Sequence, residues 1–172
     1  MSLKLIGAAL LIGGTSVWGA SGVARLRRRS RILAGIVRAL AAMRSELVTR
    51  LTPVPELIKR MEEQSEGPVS AFFHNVGIRL GELGDAALYE LWGRAADATP
   101  ELLLTPEESA ALRDTPRALG RYNISEQSDA LLRAERSFAE FARRADEKRD
   151  SDSKTRAALG AAAGIFAVLL LI

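Results

Sequence analysis

Apolar residues recur at helical spacing through most of the chain, and no stretch sustains the strict alternation expected of a strand. Ile32, Leu33, Ile36, Val37, Leu40, Met43, Leu47, Val48 and Leu51 fall on one stripe, with Arg38, Arg44, Glu46 and Arg50 mostly off it, which predicts an amphipathic helix over residues 30–51. Thr52 followed by Pro53 reads as a helix start, a capping hydroxyl before proline in the first turn, and Val54, Leu57, Ile58 and Met61 supply the next buried face. Gly67 and Pro68 close that piece and open another, striped by Val69, Phe72, Phe73, Val76, Leu80 and Leu83. Asp85 is placed to cap a short helix that turns Leu88, Leu91, Trp92 and Ala95 inward. Thr105, Pro106, Glu107 and Glu108 form a proline-started capping box whose helix should end or kink near Thr115, ahead of Pro116. The last piece begins near Asn123, with Glu126 three residues on, and buries Leu131, Leu132, Phe138, Phe141 and Ala142. From Asp146 to Arg156 it is almost wholly polar or charged, and a break or bend is expected over residues 150–153, where short polar side chains compete for backbone hydrogen bonds.

The ends differ from this middle. Residues 5–24 carry no charge, and a helix of 20 residues spans roughly 30 Å, the thickness of a bilayer core. Residues 157–172 are likewise uncharged and make about 24 Å of helix, a shortfall that a snorkelling Arg156 can cover. A cleavable signal peptide is the rival for the first segment, but Arg25, Arg27, Arg28, Arg29 and Arg31 follow it directly and resist translocation. Lys148, Arg149, Lys154 and Arg156 precede the second segment. Both ends therefore predict the same topology, with the termini outside and the body cytoplasmic. Gly160 and Gly164 form a GxxxG pair suited to anchor packing, within one chain or between subunits. The expected fold is all-α: an antiparallel bundle of about five or six helices over residues 25–156, flanked by transmembrane helices over 1–24 and 157–172.

Charge and composition narrow the function. All 21 acidic residues lie beyond Arg31, so the body without the arginine cluster is slightly acidic, and with few aromatics it makes a poor nucleic-acid surface. No cysteine is present, which excludes disulfides and thiolate chemistry. His74 is the lone histidine and reads as a surface or boundary residue; the chain has no P-loop, no GxSxG and no zinc-protease pair. Phe72, Phe73 and Trp92 read as core. No catalytic group, cofactor, metal or small-molecule substrate is expected. Two exposed charged places are candidate partner contacts: Glu62, Glu63 and Glu66 at one turn, and Arg113 with Arg117.

Several landmarks occur in a particular order: LKLIGAALLIGGT and ARLRRRSR near the start, LTPVPELIKRM, FFHNVGIRL, Trp92, Ala118 to Gly120, the helix bearing Gln127, and the closing LGAAAGIFAVLLLI. In this order and with two anchors, nearly the whole chain resembles the stage III sporulation protein AB family. Thr115–Pro116 departs from the unbroken helix usual before the Leu-Gly pair. The resemblance implies a helical domain like that of type II secretion and type IV pilus platform proteins. It also implies a place in the secretion-like complex joining mother cell and forespore, with stage III sporulation protein AA as the partner ATPase. A structural tether that self-associates through its anchors, and an enzyme with an unrecognised carboxylate site, are the other readings of the same sequence.

Overall fold

A computed structural model describes the backbone of residues 2–82, 84, 86–119 and 123–171. Side chains are described over residues 24–152 of these, apart from 118, and at 155. The described backbone is all-helical in its main elements, with six α-helices: α1 (Ser2–Arg50), α2 (Val54–Gln64), α3 (Gly67–Arg79), α4 (Leu88–Asp97), α5 (Pro106–Asp114) and α6 (Ile124–Leu171). Short 3-10 turns at Leu80–Glu82, Pro100–Leu102 and Thr115–Ala118 join them.

The Cα positions divide the chain into two compact units, Arg29–Arg143 and a second made of Met1–Arg28 with Arg144–Ile172. In Arg29–Arg143 the predicted stripes form the core: Leu33, Leu40, Met43, Leu57, Ile58, Met61, Leu91, Trp92, Leu131 and Phe138 are fully buried. Phe72, Phe73 and Trp92 meet edge to face, with centroids 5.1 to 5.9 Å apart, and Phe138 meets Phe141 the same way at 5.5 Å. The Trp92 Nε1–H sits in this cluster without a hydrogen-bond acceptor. Gly35 lets α1 and α3 approach closely, since a Cβ there would stand 3.1 Å from Val69 Cγ2.

The capping chemistry largely follows the sequence. Glu108 N–H donates to Thr105 Oγ1 and Thr105 N–H to Glu108 Oε2, closing the predicted box, and α5 gives way to a 3-10 turn at Thr115. Asn123 Oδ1 accepts the Ser125 N–H at the start of α6. Four expectations need correction. Val48 and Leu51 are 51% and 62% exposed, although Leu47 in the same last turn stays buried; α1 stops at Arg50, and Leu51 lies past its end in left-handed backbone with φ 53°. Thr52 does not cap α2; the helix starts later, at Val54, with Pro53 in the capping position, and the Thr52 hydroxyl donates to Glu46 instead. Leu80 is only half-buried, where the chain tightens into a 3-10 turn, and Val54, Leu88, Leu132 and Ala142, at the edges of their apolar faces, are half-buried as well. No break occurs over residues 150–153, where α6 runs on as helix. Arg149 pairs with Asp146 one turn back, and the Thr155 hydroxyl bonds the Ser151 carbonyl, so the polar side chains bond along the helix without ending it. Leu83 and Asp85 lie outside the described residues, and α4 begins at Leu88 after Ala87.

Among the described residues no helix is long and apolar enough to cross a membrane. The anchors expected over 1–24 and 157–172, with Gly160, Gly164, Lys154 and Arg156, lie outside the residues whose side chains are described, Ala24 excepted.

Candidate functional site

The acidic candidate sits where α2 turns into α3. Glu63 and Glu66 are exposed, and Glu62 accepts a hydrogen bond from His74 Nδ1 at 2.8 Å. The turn is braced from below, because Ser70 Oγ donates to the Glu62 carbonyl and Gly67 takes a positive φ of 56° that a side chain would disfavour. His74 is 58% exposed, a surface residue one position beyond the buried Phe73.

Arg113 and Arg117 sit on the α5 side and are brought together by α4. Arg113 reaches across the buried Gly93 to pair with Asp97 and also donates to Ser109. Arg117 lies 4.6 Å from the Tyr89 ring centroid and pairs with Asp114 at 2.7 Å. The Asp114 hydrogen bond and charge push the Arg117 pKa up. Arg94 extends the surface through Glu82, 3.0 Å away. Among the described interactions none joins this basic surface to the Glu62–Glu66 turn.

The arginine cluster splits. Arg25, Arg27, Arg28 and Arg31 are exposed. Arg29 instead turns into the body, where Nη2 donates to Glu108 Oε1 at 2.5 Å and Nε to the Leu103 carbonyl at 3.3 Å. The side chains of Arg29 and Glu108 are 21% and 4% exposed, so this is a largely dehydrated pair. Leu103 holds the left-handed backbone (φ 53°), which aims its carbonyl at the guanidinium. One carboxylate thus caps α5 and clamps α1. Helical phase is consistent with this, since Arg29 lies at i−4 and i−7 from Leu33 and Ile36, but phase alone does not single it out, because Arg25 and Arg28 lie at i−7 and i−4 from the buried Ile32.

A second node gathers at the far end of α1. Glu46 accepts from Arg50, Thr52 and Arg60, and Arg44 pairs with Glu135 of α6 at 3.2 Å. Glu56, by its hydrogen bond and then with Glu46 by charge, pushes the Arg60 pKa up.

These features hold helices in place and display charge. Among the described residues no group of three His, Asp or Glu side chains is arranged to hold a metal ion. They define an all-helical protein whose ion pairs tie one helix to another. The family profile for stage III sporulation protein AB matches residues 4–172, and the chain belongs to that family. A solved structure described as stage III sporulation protein AB (SpoIIIAB) has the same fold. It is 18% identical, with a TM-score of 0.64 over 72% of this chain and 98% of that one. No curated protein sequence matches the chain.

Proposed function

We propose that this protein is the non-catalytic platform of the sporulation secretion-like complex between mother cell and forespore, coupling a cytosolic ATPase to membrane components. The observation that carries the reading is the family match over residues 4–172, reaching through both expected anchors and the body between them. The body supports it physically. Ion pairs join α1 to α5 and α1 to α6, which suits a part that transmits displacement. In this reading residues 1–24 and 157–172 cross the mother-cell membrane, both termini lie outside the cytosol, and Arg25, Arg27, Arg28, Arg29, Arg31, Lys154 and Arg156 mark the cytoplasmic side. The partner is stage III sporulation protein AA, received at the Glu62, Glu63 and Glu66 turn or at the Arg113 and Arg117 surface.

Co-purification from sporulating cells tests the reading. The ATPase is expected to follow the tagged full chain. Charge reversal at Glu63 and Glu66, or at Arg113 and Arg117, should weaken capture at one place and spare it at the other. A folded full chain that fails to capture the ATPase across a range of salt concentrations overturns the platform reading.

A further inference from the structure

Charge is unevenly shared between the two units. Met1–Arg28 with Arg144–Ile172 carries nine basic and four acidic residues, net +5, whereas Arg29–Arg143 carries 15 and 17. The first acidic residue of the chain is Glu46, so no carboxylate lies near Arg25 and Arg28 in sequence. On α6, Arg149 already holds Asp146 and Asp150, each at 2.9 Å, while Lys148 stands exposed. Arg25 and Arg28 are exposed, one helical turn apart, and make no ion pair among the described residues. Their neighbour Arg29, alone in the cluster, is committed to Glu108.

Two guanidinium forks at i and i+3 stand about 5–6 Å apart at their Cβ atoms and can converge on one tetrahedral anion. We infer that Arg25 and Arg28 bind the phosphodiester group of an anionic lipid headgroup. The inference rests on the two-anchor reading, in which residues 25–28 leave the first anchor at headgroup depth. A basic residue there gains roughly 1 kcal/mol from an anionic leaflet, so the pair gives about 30-fold. The sequence pattern alone would spread this role over five arginines; the structure commits Arg29 to Glu108 and gives Arg27 and Arg31 partners of their own, which leaves Arg25 and Arg28 as the pair.

The test uses the full chain in non-ionic detergent, titrated with phosphatidylglycerol or phosphatidylcholine, with bound lipid counted by native mass spectrometry. Phosphatidylglycerol should bind at least tenfold tighter than phosphatidylcholine. The double variant Arg25→Gln/Arg28→Gln should lose about 30-fold in phosphatidylglycerol affinity, and Arg25→Lys/Arg28→Lys, which keeps the charge but not the fork, should fall between it and wild type. Arg133→Gln/Arg136→Gln, on the exposed side of α6, controls for general charge and should bind as wild type. The glutamine double variant binding phosphatidylglycerol as wild type overturns the inference. Inorganic phosphate displacing the lipid at millimolar concentration, or an oligonucleotide binding as tightly, overturns it in favour of a soluble anion or a nucleic acid. ATPase capture is read separately, so loss of lipid selectivity with capture intact removes this inference and leaves the platform.

Discussion

Arg29 and Glu108 carry more of the body's integrity than their charges suggest. Removing the arginine leaves a dehydrated carboxylate beside its capping bonds, and breaking a buried pair one-sidedly is costlier than replacing both members. Arg29→Ala should therefore lower stability by about 3 kcal/mol, while Arg29→Met with Glu108→Met should cost less than Arg29→Ala alone. Thermal unfolding of the full chain reads both. Thr105→Ala removes only the hydroxyl side of the box and should cost about 1 kcal/mol. The Trp92 Nε1–H illustrates the opposite economy, a buried donor left unpaired among aromatic rings whose packing outweighs it.

Between elements, two glycines separate by what their neighbours can do. At Gly35 an added methyl meets Val69, whose branched side chain is packed and has little rotamer freedom. At Gly93 it meets Arg113 Nη1, the far end of a long and half-exposed side chain that can swing away. Gly35→Ala should destabilise by about 1 kcal/mol, and Gly93→Ala should stabilise by about 0.5 kcal/mol through helix propensity. Chemical denaturation with both variants in parallel checks the contrast in sign. At this scale the periodicity of Leu33 to Met43, the proline-started helices and the Thr105 box were readable from the sequence, because each depends on residues within a turn or two of each other. The exposure of Val48 and Leu51 was not, since a stripe says which face is apolar but neither how wide the covered part is beside Leu47 nor that the helix ends before Leu51. The uninterrupted helix through residues 150–153 was not legible, because a count of short polar residues omits the Arg149–Asp150 pair and the Thr155 hydroxyl bond to the Ser151 carbonyl within this stretch.

For the whole molecule, the absence of cysteine is a practical advantage, since any thiol introduced is the only one. Val48→Cys places it at an exposed position near the end of α1. In the proposed topology an impermeant maleimide should label it only after the cells are opened; labelling in intact cells would reverse the orientation. Gly160→Leu should disrupt anchor assembly while leaving ATPase capture in place, measured by cross-linking and co-purification in the same preparation. Of the candidate contacts, the Glu62–Glu66 turn and the Arg113–Arg117 surface were readable as exposed charge. Their partners His74, Asp97 and Tyr89 were not, because those contacts join residues brought near only by the packing of α3 on α2 and of α5 with the following 3-10 turn on α4.

The clamp at Glu108 also sets how α1 can respond to torque. A guanidinium extends about 6 Å beyond the 2.3 Å backbone cylinder, so turning the helix by about 30° sweeps its head through roughly 4 Å, further than a hydrogen bond stretches. Sliding the helix by one residue rotates it by about 100° and carries Arg29 off altogether. Within Arg29–Arg143, α1 is thus keyed against twisting and can lean as a lever only if α5 leans with it.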